Sequence, residues 1–224
     1  MPSLLELRDL TISGIVSNLN LSLSQGQVAL CRTNGEQETK QVLRTVIGES
    51  IPESGSVEID GQPLYGLLDR DQLFKIRKEV ATVTAQAGLI SNLKVWENIT
   101  LPLLYHQGIV PDEAAERGLQ LLEKLGYKGN IWALPGHLSY AERVMTAFVR
   151  ATLSSPRLIV YAECLDDLPR QHRDALLDQA IALQGQPEAP AALFIITGDI
   201  QLPLLVPDIA CDLRYNPPQI TRQT

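Results

Sequence analysis

Cysteine is scarce: Cys31, Cys164 and Cys211 stand far apart and show no CxxC spacing. An odd, scattered set supports neither a zinc site nor a disulfide framework, so buried thiols in a reducing compartment are expected. A basic excess is also missing, since 19 Lys and Arg face 26 Asp and Glu for a net charge of −7. That balance argues against clamping nucleic-acid phosphates or anionic lipid with a basic face, and no nucleic acid partner is expected. No stretch approaches the roughly 20 apolar residues that cross a bilayer. Even ITLPLLYHQGIV is interrupted by Pro102, His106 and Gln107. The opening MPSLLELRDL meets Glu6 and Arg8 before an apolar run of signal length can form, which points to the cytoplasm, with membrane contact made only through a partner. No internal repeat is visible, and only GQPEAPAA near residue 188 and the tail NPPQITRQT read as loop or frayed chain.

What is present is a hydrophobic content of 45% over 224 residues, enough for a sizeable core in one α/β domain with a lobe. LLELRDLTI and NLNLSLSQGQVALC alternate apolar and polar residues through a Gln25-Gly26 turn, as a β-rich layer leading into a central sheet does. TKQVLRTVI then sets Val42, Leu43, Val46 and Ile47 on one helical face, with Gly48 as the stop. GSVEIDGQPL reads as a strand with an Asp60-Gly61 turn, LLDRDQLFKIRK as a short polar helix, and EVATVT as an apolar strand. VWENITLPLLYH and PDEAAERGLQLLEKLG are amphipathic helices, the second opening on Pro111 with acidic first-turn residues. They mark a helical subdomain over about 88–153, inserted in the core. The sequence AERVMTAFVRATL, RLIVYAE, LPRQHRDALLDQAIAL, AALFIIT then alternates helix and strand, as parallel strands with crossover helices do.

In this order the features resemble the ATP-binding subunit of ABC transporters across nearly the whole chain. The nearest local match is VTAQAGLISNLKVWENITLPLLYH at 83–106, which looks like the glutamine loop and helical-subdomain entry of the ATPases that drive lipid and organic-solvent-tolerance transporters, the maintenance-of-lipid-asymmetry type. LSYAERVMTAFVRA stands where that family has its signature, and RLIVYAECLDDLP where it has Walker B and the D-loop. The resemblance implies a single P-loop NTPase-like domain, residues 1–224, with an N-terminal antiparallel β layer, a central mostly parallel sheet and the inserted helices. It also implies ATP and Mg2+ as ligands, a homodimer or a heterodimer with another ABC ATPase subunit, and a transmembrane permease partner. The chain would then sit peripherally on the cytoplasmic face of the inner membrane.

Several family positions carry other residues. A P-loop wraps phosphate with backbone N–H groups at a helix N-terminus, meets it with a Lys and ligates magnesium through a Ser or Thr hydroxyl. In CRTNGEQETKQVL, aligned from the preceding strand, Arg32 and Gln37 stand at glycine positions, Gly35 is kept, Glu38 stands at the lysine and Thr39 at the magnesium-binding hydroxyl. Counting back from Gly48 moves Thr39 to the lysine position, so neither register supplies a lysine, and Lys40 is nearby but displaced. A unit charge about 4 Å from a phosphate oxygen is worth about 4 kcal/mol at an effective dielectric near 20, and Glu for Lys reverses its sign. The segment is read either as a solvated strand-to-helix connection or as a rearranged loop using Lys40 or Arg32.

Walker B here ends in Ala162-Glu163, which leaves no aspartate for the metal but keeps Glu163 as a candidate general base; alone, it is otherwise a solvated acid. In LSYAE, Tyr140 and Ala141 replace the signature glycines. Ser139 is either a phosphate contact or, with Glu142, a capping box that needs no ligand. Gly198 stands where a switch histidine is expected, and Ile15 where an adenine-stacking aromatic would lie; His106, His137 and His172 are read as surface residues. Gln86 matches the family's glutamine, a candidate for magnesium and for permease contact together with Leu89, Ile90, Leu93 and Trp96. Three functions remain open: a coupling subunit with a degenerate ATP site docked on a permease in lipid transport, an ATPase working through Gly35, Thr39, Lys40, Gln86 and Glu163, and an interaction protein outside transport.

Overall fold

The computed structural model describes residues 3–66, 70–104, 110–198 and 200–223. Two sheets stack in series. The first is antiparallel in the order β2-β1-β4-β5, from β1 (Ser3–Ile12), β2 (Val16–Ser24), β4 (Ser54–Ile59) and β5 (Gln62–Pro63). The second runs β10-β9-β3-β8-β7-β6, from β3 (Val28–Thr33), β6 (Val80–Thr84), β7 (Leu158–Ala162), β8 (Ala191–Thr197), β9 (Ile209–Asp212) and β10 (Gln219–Arg222). It is parallel except for β10, which returns antiparallel to β9. The tail read as frayed is therefore an edge strand: its register runs from Gln219 opposite Asp212 to Arg222 opposite Ile209, and backbone pairing orders a segment whose side chains are all exposed.

Period-2 geometry divides the central strands between two cores. Ile159, Tyr161, Ala192, Phe194 and Ile196 face one core, while Leu158, Val160, Ala191, Leu193 and Ile195 face the other. Covering both faces explains why these strands read as continuous apolar runs. On the first face, the Tyr161 and Phe194 rings stack with centroids 4.3 Å apart. This face is covered by α3 (Val95–Pro102), α4 (Pro111–Lys124), α5 (Tyr140–Leu153) and α6 (Arg170–Gln184). The second face is covered by the antiparallel sheet and α1 (Glu36–Val46), with α2 (Arg70–Lys78) adding Leu73 and Ile76.

Two glycines are required by the backbone. Gly48, at φ 76°, stops α1, and Gly55, at φ 84°, lies so close to β1 that a Cβ would collide with the carbonyl oxygens of Arg8 and Asp9. Among the described residues no helix is long and apolar enough to cross a membrane.

Candidate functional site

The strand-to-helix connection after β3 is two residues long. Strand β3 runs through Thr33 and α1 starts at Glu36, three residues before the Thr39 start expected from periodicity, leaving only Asn34 and Gly35 between them. The physical reason is that Glu36 and Glu38 fall in the first helical turn, where acidic side chains complement the exposed N–H groups and the helix dipole. Gly35 is the N-cap in extended conformation, φ −178°, and a Cβ there would meet nothing within 4 Å. Neither conformation nor crowding requires a glycine at this point.

The polar groups of this connection are engaged with one another. The Asn34 backbone N–H donates to Glu38 Oε2 at 2.8 Å, and the Asn34 amide donates to both Glu38 carboxylate oxygens at 3.1 Å. Thr39 is fully buried; its hydroxyl lies 2.6 Å from that of Thr33 and also donates to the Gly35 carbonyl at 3.3 Å. Lys40 pairs with Glu36 one turn earlier, an interaction that raises the lysine pKa. Arg32 turns away, donating to the Gly198 and Ile200 carbonyls at 3.1 and 3.2 Å, and so ties β3 to the segment after β8.

Glu163 follows β7 with φ 57°, a left-handed conformation that few side chains adopt. It is 7% exposed and its Oε1 has no hydrogen-bond partner. Burial, reinforced by the Glu36 carboxylate and opposed by Lys40, pushes its pKa up to about 7. A cavity of about 380 Å3 lies beside it, lined by Lys40, Leu43, Gln86, Ala162 and others. Gln86 is exposed in the turn after β6. Glu163, Lys40 and Gln86 are thus brought to one hollow, whereas Gly35 and Thr39 are not among its lining residues.

At the start of α5, Ser139 and Glu142 form the capping box: Glu142 Oε2 accepts from the Ser139 N–H and hydroxyl at 2.7 Å, and the Glu142 N–H donates to Ser139 Oγ at 3.3 Å. Tyr140 folds back on its own chain. Its hydroxyl donates to the carbonyls of Glu163 and Cys164 at 3.2 and 3.4 Å, tying the start of α5 to the exit of β7. Farther along that exit, the Thr197 hydroxyl donates to Asp166 Oδ2 at 2.6 Å. His137 is exposed, but His172 is half-buried with an unpartnered Nδ1, unlike the surface residue expected; His106 lies outside the described residues.

The segment from Ala87 to Asn98 is built differently. Asn98 is fully buried: its Oδ1 accepts from the Ile90 N–H at 2.9 Å, and its Nδ2 donates to the Ile90, Leu93 and Lys94 carbonyls at 2.9–3.1 Å. Arg150 on α5 donates to the Gly88 carbonyl at 3.0 Å. The first N–H groups of α3 are met by the 131–133 turn, Val95 N–H by Ala133 and Trp96 N–H by Ile131. That turn sets the Trp132 ring edge-to-face on Trp96, centroids 5.7 Å apart, with Lys94 over Trp132. Leu89 packs into the core, Leu93 and Trp96 are half-buried, and Ile90, Leu134 and Trp132 are exposed, at 39%, 39% and 59%. Sequence reading missed Asn98, Arg150 and Trp132. Asn98 looked like one more polar position on an amphipathic helix, and Trp132 lies in a loop whose partner is distant in sequence.

The family model described as "ABC transporter" matches residues 16–166. An uncharacterized ABC transporter ATP-binding protein, YknY of Bacillus subtilis (strain 168), is 27% identical over 174 residues, covering 77% of this chain and 74% of that protein. The intermembrane phospholipid transport system ATP-binding protein MlaF of Haemophilus influenzae is 27% identical over 166 residues, 72% of this chain but only 62% of its own length, less than two thirds. The lipoprotein-releasing system ATP-binding protein LolD of Psychrobacter arcticus is 25% identical over 192 residues, 85% and 84% of the two chains. Among solved structures, a dimeric bacterial ABC transporter cassette superposes with a TM-score of 0.81 at 22% identity, over 97% of this chain and 98% of the other. At that identity the likeness speaks for the fold.

Proposed function

The chain belongs to the ABC transporter family as an ATP-binding-type subunit, and on that premise we propose that it is a coupling subunit with a degenerate nucleotide site, docked on a membrane permease. The observation that carries this reading is the Glu38 carboxylate seated on the Asn34 N–H, at the helix start where a phosphate would have to sit. ATP and Mg2+ do not fit the side chains as they stand. The Thr39 hydroxyl is buried in bonds within the chain, Lys40 is paired with Glu36, and two connecting residues are too few to wrap a phosphate with successive N–H groups. Ala162 brings no carboxylate for a metal. No hydrolytic step is therefore derived through this site.

The apolar side chains of Ile90, Leu93, Trp96, Trp132 and Leu134, on a backbone pinned by Asn98, support permease docking, and Gln86 belongs to the same proposal. Lipid or lipoprotein cargo is favoured by the kinship with MlaF and LolD. The single-domain organisation, the placement of the chain on the cytoplasmic face and its pairing with itself or with an active ATPase subunit belong to the same proposal.

Calorimetric titration with Mg-ATP tests the reading. Absence of saturable micromolar binding is expected, and micromolar binding abolished by Lys40→Ala or Thr39→Val would overturn it. One feature favours a second reading, an ATPase of unusual site: Glu163 is buried, unpaired and titrates near neutrality, as a general base does. Single-turnover hydrolysis by the wild type, lost in Glu163→Gln, would establish it.

A further inference from the structure

Cys31 and Cys211 are far apart in the sequence, but the parallel pairing of β3 with β9 sets them directly opposite one another. In-register residues of neighbouring strands lie about one strand spacing apart, near 4.8 Å, which falls inside the Cα separation of roughly 4.4–6.8 Å that disulfides use. Both side chains face the same core, at 3% and 2% exposure, and the two thiols are near enough to affect each other's ionisation. Cys164 belongs to the other core and has no such neighbour relation to them.

The pair lies one strand in from the β10 edge of the sheet, Cys211 on β9 between β10 and β3, and Cys31 on β3. Strands β9 and β10 are four residues each, every β10 side chain is exposed, and β10 has β9 as its only neighbour in the sheet order. Short exposed edge elements open locally at far lower free energy than the whole domain. While the edge is closed, burial and the adjacent Cys211 thiol keep Cys31 protonated and unreactive.

We propose that Cys31 and Cys211 are a modification site: a thiol pair that hydroperoxides oxidise to an intrachain disulfide when the β9–β10 edge opens, fastening the C-terminal hairpin to β3. One thiol, deprotonated on exposure, attacks the peroxide O–O bond and becomes a sulfenic acid, releasing water when the oxidant is hydrogen peroxide. The second sulfur displaces the hydroxyl of that sulfenic acid as a further water. Two thiols and one peroxide thus give one disulfide and two waters, the sulfurs being oxidised and the peroxide oxygens reduced. Strand β3 leads straight into Thr33, Asn34 and Gly35, so the bond anchors the strand that carries the closed connection.

The test uses the full wild-type chain treated with hydrogen peroxide, with and without urea below the unfolding transition. The expected product has lost two hydrogens in intact mass, yields the Cys31 and Cys211 tryptic peptides joined under non-reducing conditions, and returns to the starting mass with dithiothreitol. Tryptic cleavage after Arg214 slows several-fold in the oxidised form, and urea accelerates product formation. Oxygen addition to the separate cysteines, oxidation confined to Cys164, or no joined peptides at any urea concentration would each overturn the proposal. Cys211→Ala serves as a control and is expected to lose the joined product. The wild-type peptide map decides the matter alone if that variant folds poorly.

Discussion

The connection after β3 and the segment from Ala87 to Asn98 use the same device to opposite ends. In both, side chains satisfy backbone N–H and carbonyl groups that the turn of the chain leaves without partners. At the first, Glu38 accepts from the Asn34 N–H, while Glu36 pairs with the Lys40 side chain, so these groups are already engaged. At the second, a fully buried asparagine and an arginine from α5 hold the backbone from within, and apolar side chains are left facing outward. Self-satisfaction near the surface leaves the groups at the helix start engaged, whereas self-satisfaction from within leaves apolar side chains facing outward.

The sharpest way to break this contrast is Asn98→Ala, which takes the side-chain partner from the Ile90 N–H and the Leu93 carbonyl, while the Ile90 and Lys94 carbonyls keep the Leu93 and Asn98 N–H groups. A loss of about 3 kcal/mol in urea-unfolding stability is expected, together with weaker capture by the proposed permease, because a fully buried side chain is removed and two backbone groups lose their partner. Next comes Glu163. Its folded pKa of about 7 stands above the ordinary carboxyl value of 4.5, so between those values the folded chain holds a proton the unfolded chain has released. This contribution is fully present below pH 4.5 and is lost as pH rises through 7, on the order of 2–3 kcal/mol. Glu163→Gln flattens that part of the stability profile, and an unchanged profile would remove Glu163 from the account. Smallest is Glu38→Ala, expected to cost about 0.5–1 kcal/mol by thermal melts, as loss of an exposed helix-terminal hydrogen bond does. An effect there as large as at Asn98 would erase the distinction between the two regions.

The fold was legible because its signals are strong and local: alternation in β1 and β2, apolar runs in β7 and β8, and Gly48 closing α1. The start of α1 was not, since Glu36-Gln37-Glu38 is as polar as a loop, and only the dipole of the helix it joins makes that run helical. Strand β10 was missed because pairing, and not side-chain burial, orders it, and β9 because four residues are too short a run for alternation to stand out. At the candidate site, residue types were readable but their engagements were not. Ser139 as a cap followed from spacing. The turn of Tyr140 back onto the Glu163 and Cys164 carbonyls depends on a meeting of α5 with β7 that no short stretch encodes.

The two-residue connection at Asn34–Gly35 also sets terms for anyone who would rebuild the site. Replacing Glu38 by lysine changes a charge but adds no length, and a loop without slack cannot curl around an anion. Gaining that slack by unwinding Glu36–Glu38 would break the Asn34–Glu38 clasp and the Thr39 N–H bond to Gly35. Val42, Leu43 and Val46 meanwhile keep the rest of α1 fixed against the core. If the proposed degenerate site is right, engineering nucleotide affinity into this chain calls for inserted residues ahead of Glu36 before any substitution, because length and not charge is what the connection has least of.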